Sequence, residues 1–183
     1  FVFDEAPTVF VIHNQQGGYQ WFYEPANPLT ILIPPGTYNA VAKYYYPGTM
    51  VFQEGLVVPN GGVSMAFNKT AAIYNVDISP VDETGQRVYP YSGGETFVHN
   101  GSGLRLIETI GGFDTHRRFS AMSSAYTWRW VTTGHTHPTT GNIKTYDFNA
   151  TVVNGISGDL TWQNSPTAFK HQRFQYTLPP NLT

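Results

Sequence analysis

Ile31-Leu-Ile-Pro-Pro-Gly-Thr-Tyr38 runs into Asn39-Ala-Val-Ala-Lys-Tyr-Tyr-Tyr46 and is followed by Gly55-Leu-Val-Val58. Its apolar residues alternate, break at a proline–glycine pair, and resume. That is the pattern of strand, turn, strand, loop and strand. Pro35-Gly36 suits the two central positions of a type II turn, where glycine supplies a positive φ. The stretch decides for an all-β protein, and the rest of the chain repeats its grammar.

Upstream, Thr8-Val-Phe-Val-Ile12 is a β-rich run, and Tyr19-Gln-Trp-Phe-Tyr23 follows the Gly17-Gly18 turn. Leu29–Ile33 reads as a third strand, Thr37–Tyr46 as a fourth, and Met50–Val58 as a fifth. Val63–Phe67 follows Pro59-Asn-Gly-Gly62. Six strands with turns between them are the signature of a sandwich. Alternation restarts at Ile73–Ile78. Further strands are expected over Arg87–Tyr91, Thr96–His99, Leu104–Ile110, Ala125–Thr132, Lys144–Val153, Gly158–Gln163 and Arg173–Leu178. The segment Arg117–Ser124 has room for one helical turn. No segment sustains a 3.6-residue period.

Composition agrees. Hydrophobic residues make up 40% of the 183, enough for a core, and aromatics 15%, while charged residues are only 12%, about half the usual share. Net charge is −2, and Arg117-Arg118 is the densest cationic spot, so nucleic acid is not an expected partner. The absence of cysteine excludes disulfides, thiol catalysis and Cys-ligated zinc. No apolar run is long enough to span a membrane. A chain opening on Phe1 with no signal peptide reads as a processed product or an excised segment.

Residues 8–68 resemble the transthyretin-like, carboxypeptidase-regulatory-like family of β-sandwich modules. The resemblance rests on Ile33–Tyr38, the aromatic-rich run that follows, and the late Gly55–Val58. It implies a non-catalytic accessory module, of the kind carried by secreted peptidases, glycan-processing proteins and cell-surface proteins. The expected architecture is an antiparallel β-sandwich, one or two immunoglobulin-like or transthyretin-like units. A division is expected into residues 1–71, with an N-terminal β arm, and residues 72–183; a single elongated sandwich is the alternative.

Four constellations could carry function. Tyr19, Trp21 and Tyr23 share one strand face, as do Tyr126, Trp128 and Trp130. Exposed rings in a row stack on sugars, so Trp21, Tyr23, Trp128 and Trp130 are glycan candidates; buried, they are core. The apolar N-terminal residues Val2, Phe3, Val9, Phe10, Val11 and Ile12 could complete a neighbouring subunit's sheet, as donor strands do in surface filaments. Asp114, His116, His135 and His137 could hold a metal if their loops meet; solvated loop histidines are the alternative, and no cofactor is otherwise expected. Asn68, Asn100, Asn149 and Asn181 open Asn-x-Ser/Thr sequons, expected at strand ends or loops of a surface protein. Asp82-Glu83 sits in a turn where aspartate bonds its own backbone. No nucleophile elbow, phosphate loop or facing carboxylate pair can be chosen. The expected role is an extracellular or cell-surface module that binds protein or glycan. The alternatives are a filament subunit and a His/Asp metal-dependent enzyme.

Overall fold

The computed structural model describes residues 1–44, 48–111, 115–135 and 144–168, with side chains for all of these except 91 and 106–111. Thirteen strands follow in chain order among them: β1 Val2–Phe3, β2 Val9–Asn14, β3 Tyr19–Tyr23, β4 Gly36–Tyr44, β5 Thr49–Val58, β6 Ala66–Phe67, β7 Tyr74–Ile78, β8 Tyr89–His99, β9 Arg105–Gly111, β10 His116–Phe119, β11 Tyr126–His135, β12 Thr145–Val152 and β13 Leu160–Trp162. The fold is an all-β sandwich.

Seven strands form one sheet in the order β13-β7-β10-β5-β4-β2-β3, and four form a second in the order β12-β11-β8-β9. β1 and β6 make a small third sheet. Alternation fixes which residues go where. In β2, Val11 turns toward the four-stranded sheet while Phe10 and Ile12 turn the other way. In β5, Met50 and Phe52 go with Val11, and Val51 goes with Phe10. The seven-stranded sheet is therefore buried on both faces. One face meets Phe97, Trp128, Trp130 and Phe148 of the four-stranded sheet. The other meets Phe3, Phe67 and Leu29. Phe10 and Phe67 pack edge-on here, with ring centroids 5.2 Å apart at 86°.

The expected boundary between 71 and 72 falls inside this arrangement. β10 pairs with β5 in parallel, Arg118 against Thr49 and Phe119 against Met50, so the large sheet draws strands from both sides of the boundary. One core cluster likewise joins Val11, Val41 and Phe52 to Val76, Phe119 and Trp128.

Several local expectations need correction. Leu29–Ile33 is not a strand. It is an extended crossover in which Leu29 is buried and Ile31 and Ile33 pack against the Phe10 side of the large sheet. An extended chain lying on a sheet buries alternate residues as a strand does, but without a ladder. Gly36 is not a positive-φ turn glycine; it opens β4, opposite Val58. The stretch that allowed a helical turn opens inside β10, whose residues alternate exposed and buried. Two expected strands, Arg87–Tyr91 and Thr96–His99, merge into the single β8. The pairing is also not wholly antiparallel, since β1–β6, β5–β10 and β7–β13 run parallel. Asp114, His137, Asn181 and the strand expected over 173–178 lie outside the described residues.

The Asp82 turn forms as expected. Asp82 Oδ1 accepts from the N–H groups of Thr84 and Gln86 at 2.8 and 2.9 Å and from the Thr84 hydroxyl at 2.6 Å. These bonds outweigh desolvation and hold the carboxyl below its usual range. Glu83 accepts from Lys144 and Tyr146, which lowers its pKa to about 2 and ties the turn to β12.

Candidate functional site: an aromatic shelf on the sheet margin

Seven strands facing four leave a margin uncovered, and β3 is that margin. Trp21 lies opposite Val11 and packs against the inter-sheet core, while Phe22 lies opposite Phe10 and packs against the other face. Tyr19, Trp21 and Tyr23 consequently share the face that the four-stranded sheet covers further in. Tyr19 is 58% exposed and Tyr23 74% exposed, whereas Val11 on the neighbouring strand is 1% exposed. Trp21 is half-buried, and its ring lies 5.8 Å from that of Tyr23, tilted by 37°. Same-face positions along a strand stand roughly 7 Å apart. The result is a short row of rings, half-buried at Trp21 and open at both tyrosines. β3 is also the edge strand of its sheet.

The second aromatic triplet is a correction. Tyr126, Trp128 and Trp130 are at most 1% exposed, so Trp128 and Trp130 are core residues and offer no face to a sugar. The alternation of β11 was right; its inner face is the one that carries the tryptophans, with Thr127 and Arg129 outside.

The N-terminal arm is folded into its own chain. Phe3 is buried and Val2 exposed in β1, which pairs with β6. Val9, Phe10, Val11 and Ile12 belong to β2, hydrogen-bonded to β3 on one side and β4 on the other. A strand with both edges occupied has no free ladder to donate.

Of the four metal candidates only His116 and His135 lie among the described residues, and they sit in different sheets. His116 on β10 hydrogen-bonds Asp77 of β7 through Nδ1 at 2.5 Å, and His135 ends β11 in the other sheet. No group of three or more metal-ligating side chains occurs among the described residues. Of the sequon asparagines, Asn68, Asn100 and Asn149 are exposed. Asn149 sits inside β12 and not at a strand end or loop.

Two buried polar groupings went unnoticed in the sequence. The first is His13, fully buried, whose Nε2 lies 2.7 Å from the Tyr126 hydroxyl. Its Nδ1 is 3.3 Å from the Asn14 carbonyl oxygen. A carbonyl only accepts, so Nδ1 carries the proton and Nε2 accepts from Tyr126 O–H. The His99 ring is 4.8 Å away. Burial depresses the His13 pKa; the bond to the Asn14 carbonyl opposes it, the nearby His99 lowers it further, and Glu54 pulls weakly upward. The second is the ion pair of Arg117 with Glu95. The only available signal was a polar residue interrupting an apolar alternation, His13 after Val9–Ile12 and Arg117 before Phe119.

The His13 site makes stability pH-dependent. A histidine with a lowered folded pKa binds fewer protons folded than unfolded. Its contribution is complete above the unfolded value of about 6.5 and is lost as pH falls from there toward the lowered folded pKa. Thermal melts between pH 7 and pH 5 should show a decline in melting temperature that is shallower in His13→Gln. Equal slopes in the two proteins would remove His13 as the cause.

With the geometry in view, the class is that of an all-β sandwich with an aromatic margin. Compared with known protein families, curated proteins and solved structures, the chain matches none.

Proposed function

We propose that this chain is a non-catalytic extracellular or cell-surface module, transthyretin-like in its N-terminal part, that contacts glycan through the β3 shelf. The observation carrying the reading is the exposure of Tyr19 and Tyr23 on either side of a half-buried Trp21. Rings held on a sheet lose little conformational entropy on binding and present apolar area to the flat face of a sugar. Two further features support it. Low charge suits an uncharged ligand, and the exposed Asn68, Asn100 and Asn149 suit a surface glycoprotein.

Affinity electrophoresis through gels carrying β-glucan, xylan, mannan or glycogen tests the reading. The native chain should be retarded by at least one polymer. Tyr19→Ala and Tyr23→Ala should each weaken retention by about 5- to 30-fold, or about 1–2 kcal/mol, while melting temperatures stay nearly unchanged. Retention that survives the double variant would exclude the shelf. Absence of retention by every polymer would exclude the glycan reading.

A further inference from the structure

On the opposite face of the large sheet from the shelf, a cavity of about 240 Å³ is lined by Asp4, Glu5, Thr49, Lys69, Thr70 and Arg118. Register builds it. Phe119 and Met50 pair in β10 and β5 and both face the inter-sheet core. Arg118 and Thr49, paired one residue earlier, therefore face the other way. The parallel pairing of β1 with β6 brings Asp4 and Glu5 beside the turn at Lys69–Ala71.

Most of the polar groups here are already satisfied by one another. Both carboxylate oxygens of Asp4 accept from the Lys69 backbone N–H, at 2.8 and 2.9 Å. Both of Glu5 accept from Lys69 Nζ, at 2.8 and 2.9 Å. Three lining side chains are left over among the described residues: Thr70, which is exposed, and Thr49 and Arg118. Thr49 is 2% exposed, and its hydroxyl has no hydrogen-bond partner among the described residues. A buried hydroxyl without a partner is costly unless something else meets it. Arg118, exposed at the cavity, forms no ion pair or hydrogen bond among the described residues.

We infer that this cavity binds a small hydroxylated carboxylate of the sugar-acid type. A carboxylate fits the guanidinium fork of Arg118 and accepts from the Thr49 hydroxyl. The ligand's hydroxyls donate to the remaining lone pairs of Asp4 and Glu5. Those two acids disfavour a compact dianion such as sulfate, and a neutral sugar leaves Arg118 unmatched. The volume suits one sugar-sized unit, being smaller than a drug-sized pocket. The site lies on a different face from the shelf, so it stands or falls independently of the stacking proposal.

The same chemistry occurs in a free sugar acid and in a uronic-acid unit of a polysaccharide. Calorimetric titration of the whole chain should therefore use sodium glucuronate and oligogalacturonate in separate arms, with glucose and sulfate as controls. At least one uronate should bind, and glucose and sulfate should bind far more weakly. Glucuronate binding points to the free acid, and binding of oligogalacturonate alone to the polymer. Arg118→Gln and Thr49→Val should each weaken binding by about tenfold or more. Thr49→Val keeps the side-chain shape and should melt no lower than the native chain, which separates lost binding from lost folding. The inference is overturned if neither uronate binds, if the controls bind as well, or if binding survives both substitutions.

Discussion

Replacing Arg117 by methionine should lower the unfolding free energy by about 3–5 kcal/mol, the largest loss expected from a single polar substitution in this chain. Arg117 belongs to β10 of the seven-stranded sheet and Glu95 to β8 of the four-stranded sheet. Their side chains are 4% and 1% exposed, and Nε lies 2.6 Å from Oε1. The bond therefore crosses between the sheets within a nearly dry interior. Arg117 also donates through Nη1 to the His116 carbonyl at 3.2 Å. Removing the guanidinium takes the Arg117 counter-charge from a Glu95 carboxylate that is 1% exposed, and the desolvation of that carboxylate, more than the lost attraction, sets the cost.

The double variant Arg117→Met/Glu95→Leu removes both charges and should recover most of the loss. Denaturant midpoints at unchanged slope would measure both effects. A single-variant cost below about 1 kcal/mol, the range of surface pairs, would show that the pair is solvated. Gly48 belongs to the same device. It has φ +47°, and a Cβ there would come within 2.7 Å of Arg117 Cδ. Bringing the arginine inside thus requires a residue without a side chain beside it.

Trp128→Ala should cost about 3–5 kcal/mol as well, for a different reason. Trp128 is fully buried. Its ring stacks on Phe97 with centroids 6.4 Å apart at 22°, and meets Phe119 edge-on at 5.5 Å and 60°. Truncation opens a cavity between two sheets that cannot close without moving both. Trp128→Phe should cost less, about 1–2 kcal/mol. It keeps an aromatic ring and discards an indole N–H that has no hydrogen-bond partner among the described residues. Both variants, where folded, should be retained on glycan as the native chain is. A Trp128→Phe protein with native melting temperature and no glycan retention would reverse the assignment of this tryptophan to the core.

The contrast between Trp128 and Tyr23 shows where sequence reading stopped. Both sit in aromatic triplets at every second residue, and local pattern treats them alike. One is sealed under seven strands and the other overhangs four. Nothing in Tyr19–Tyr23 announces that its strand is the outermost. Arg117 shows the same limit in reverse, since a charged residue in a short apolar alternation reads as surface until Glu95 arrives from a segment 22 residues away. Leu29–Ile33 shows it a third way, because period-two burial reports an extended chain covered on one side and leaves open whether it has a ladder.

Alternation, turn residues and composition were together enough to determine an all-β sandwich and most of its strands. These are local properties, set by the two-residue period of an extended chain and by the φ preferences of glycine and proline. Strand order, the three parallel pairings, the margin left at β3, the Arg117–Glu95 bridge and the cavity beneath Thr49 and Arg118 were decided only in three dimensions. Each depends on which distant segment lies alongside, and many alternative pairings would bury the same alternating residues equally well.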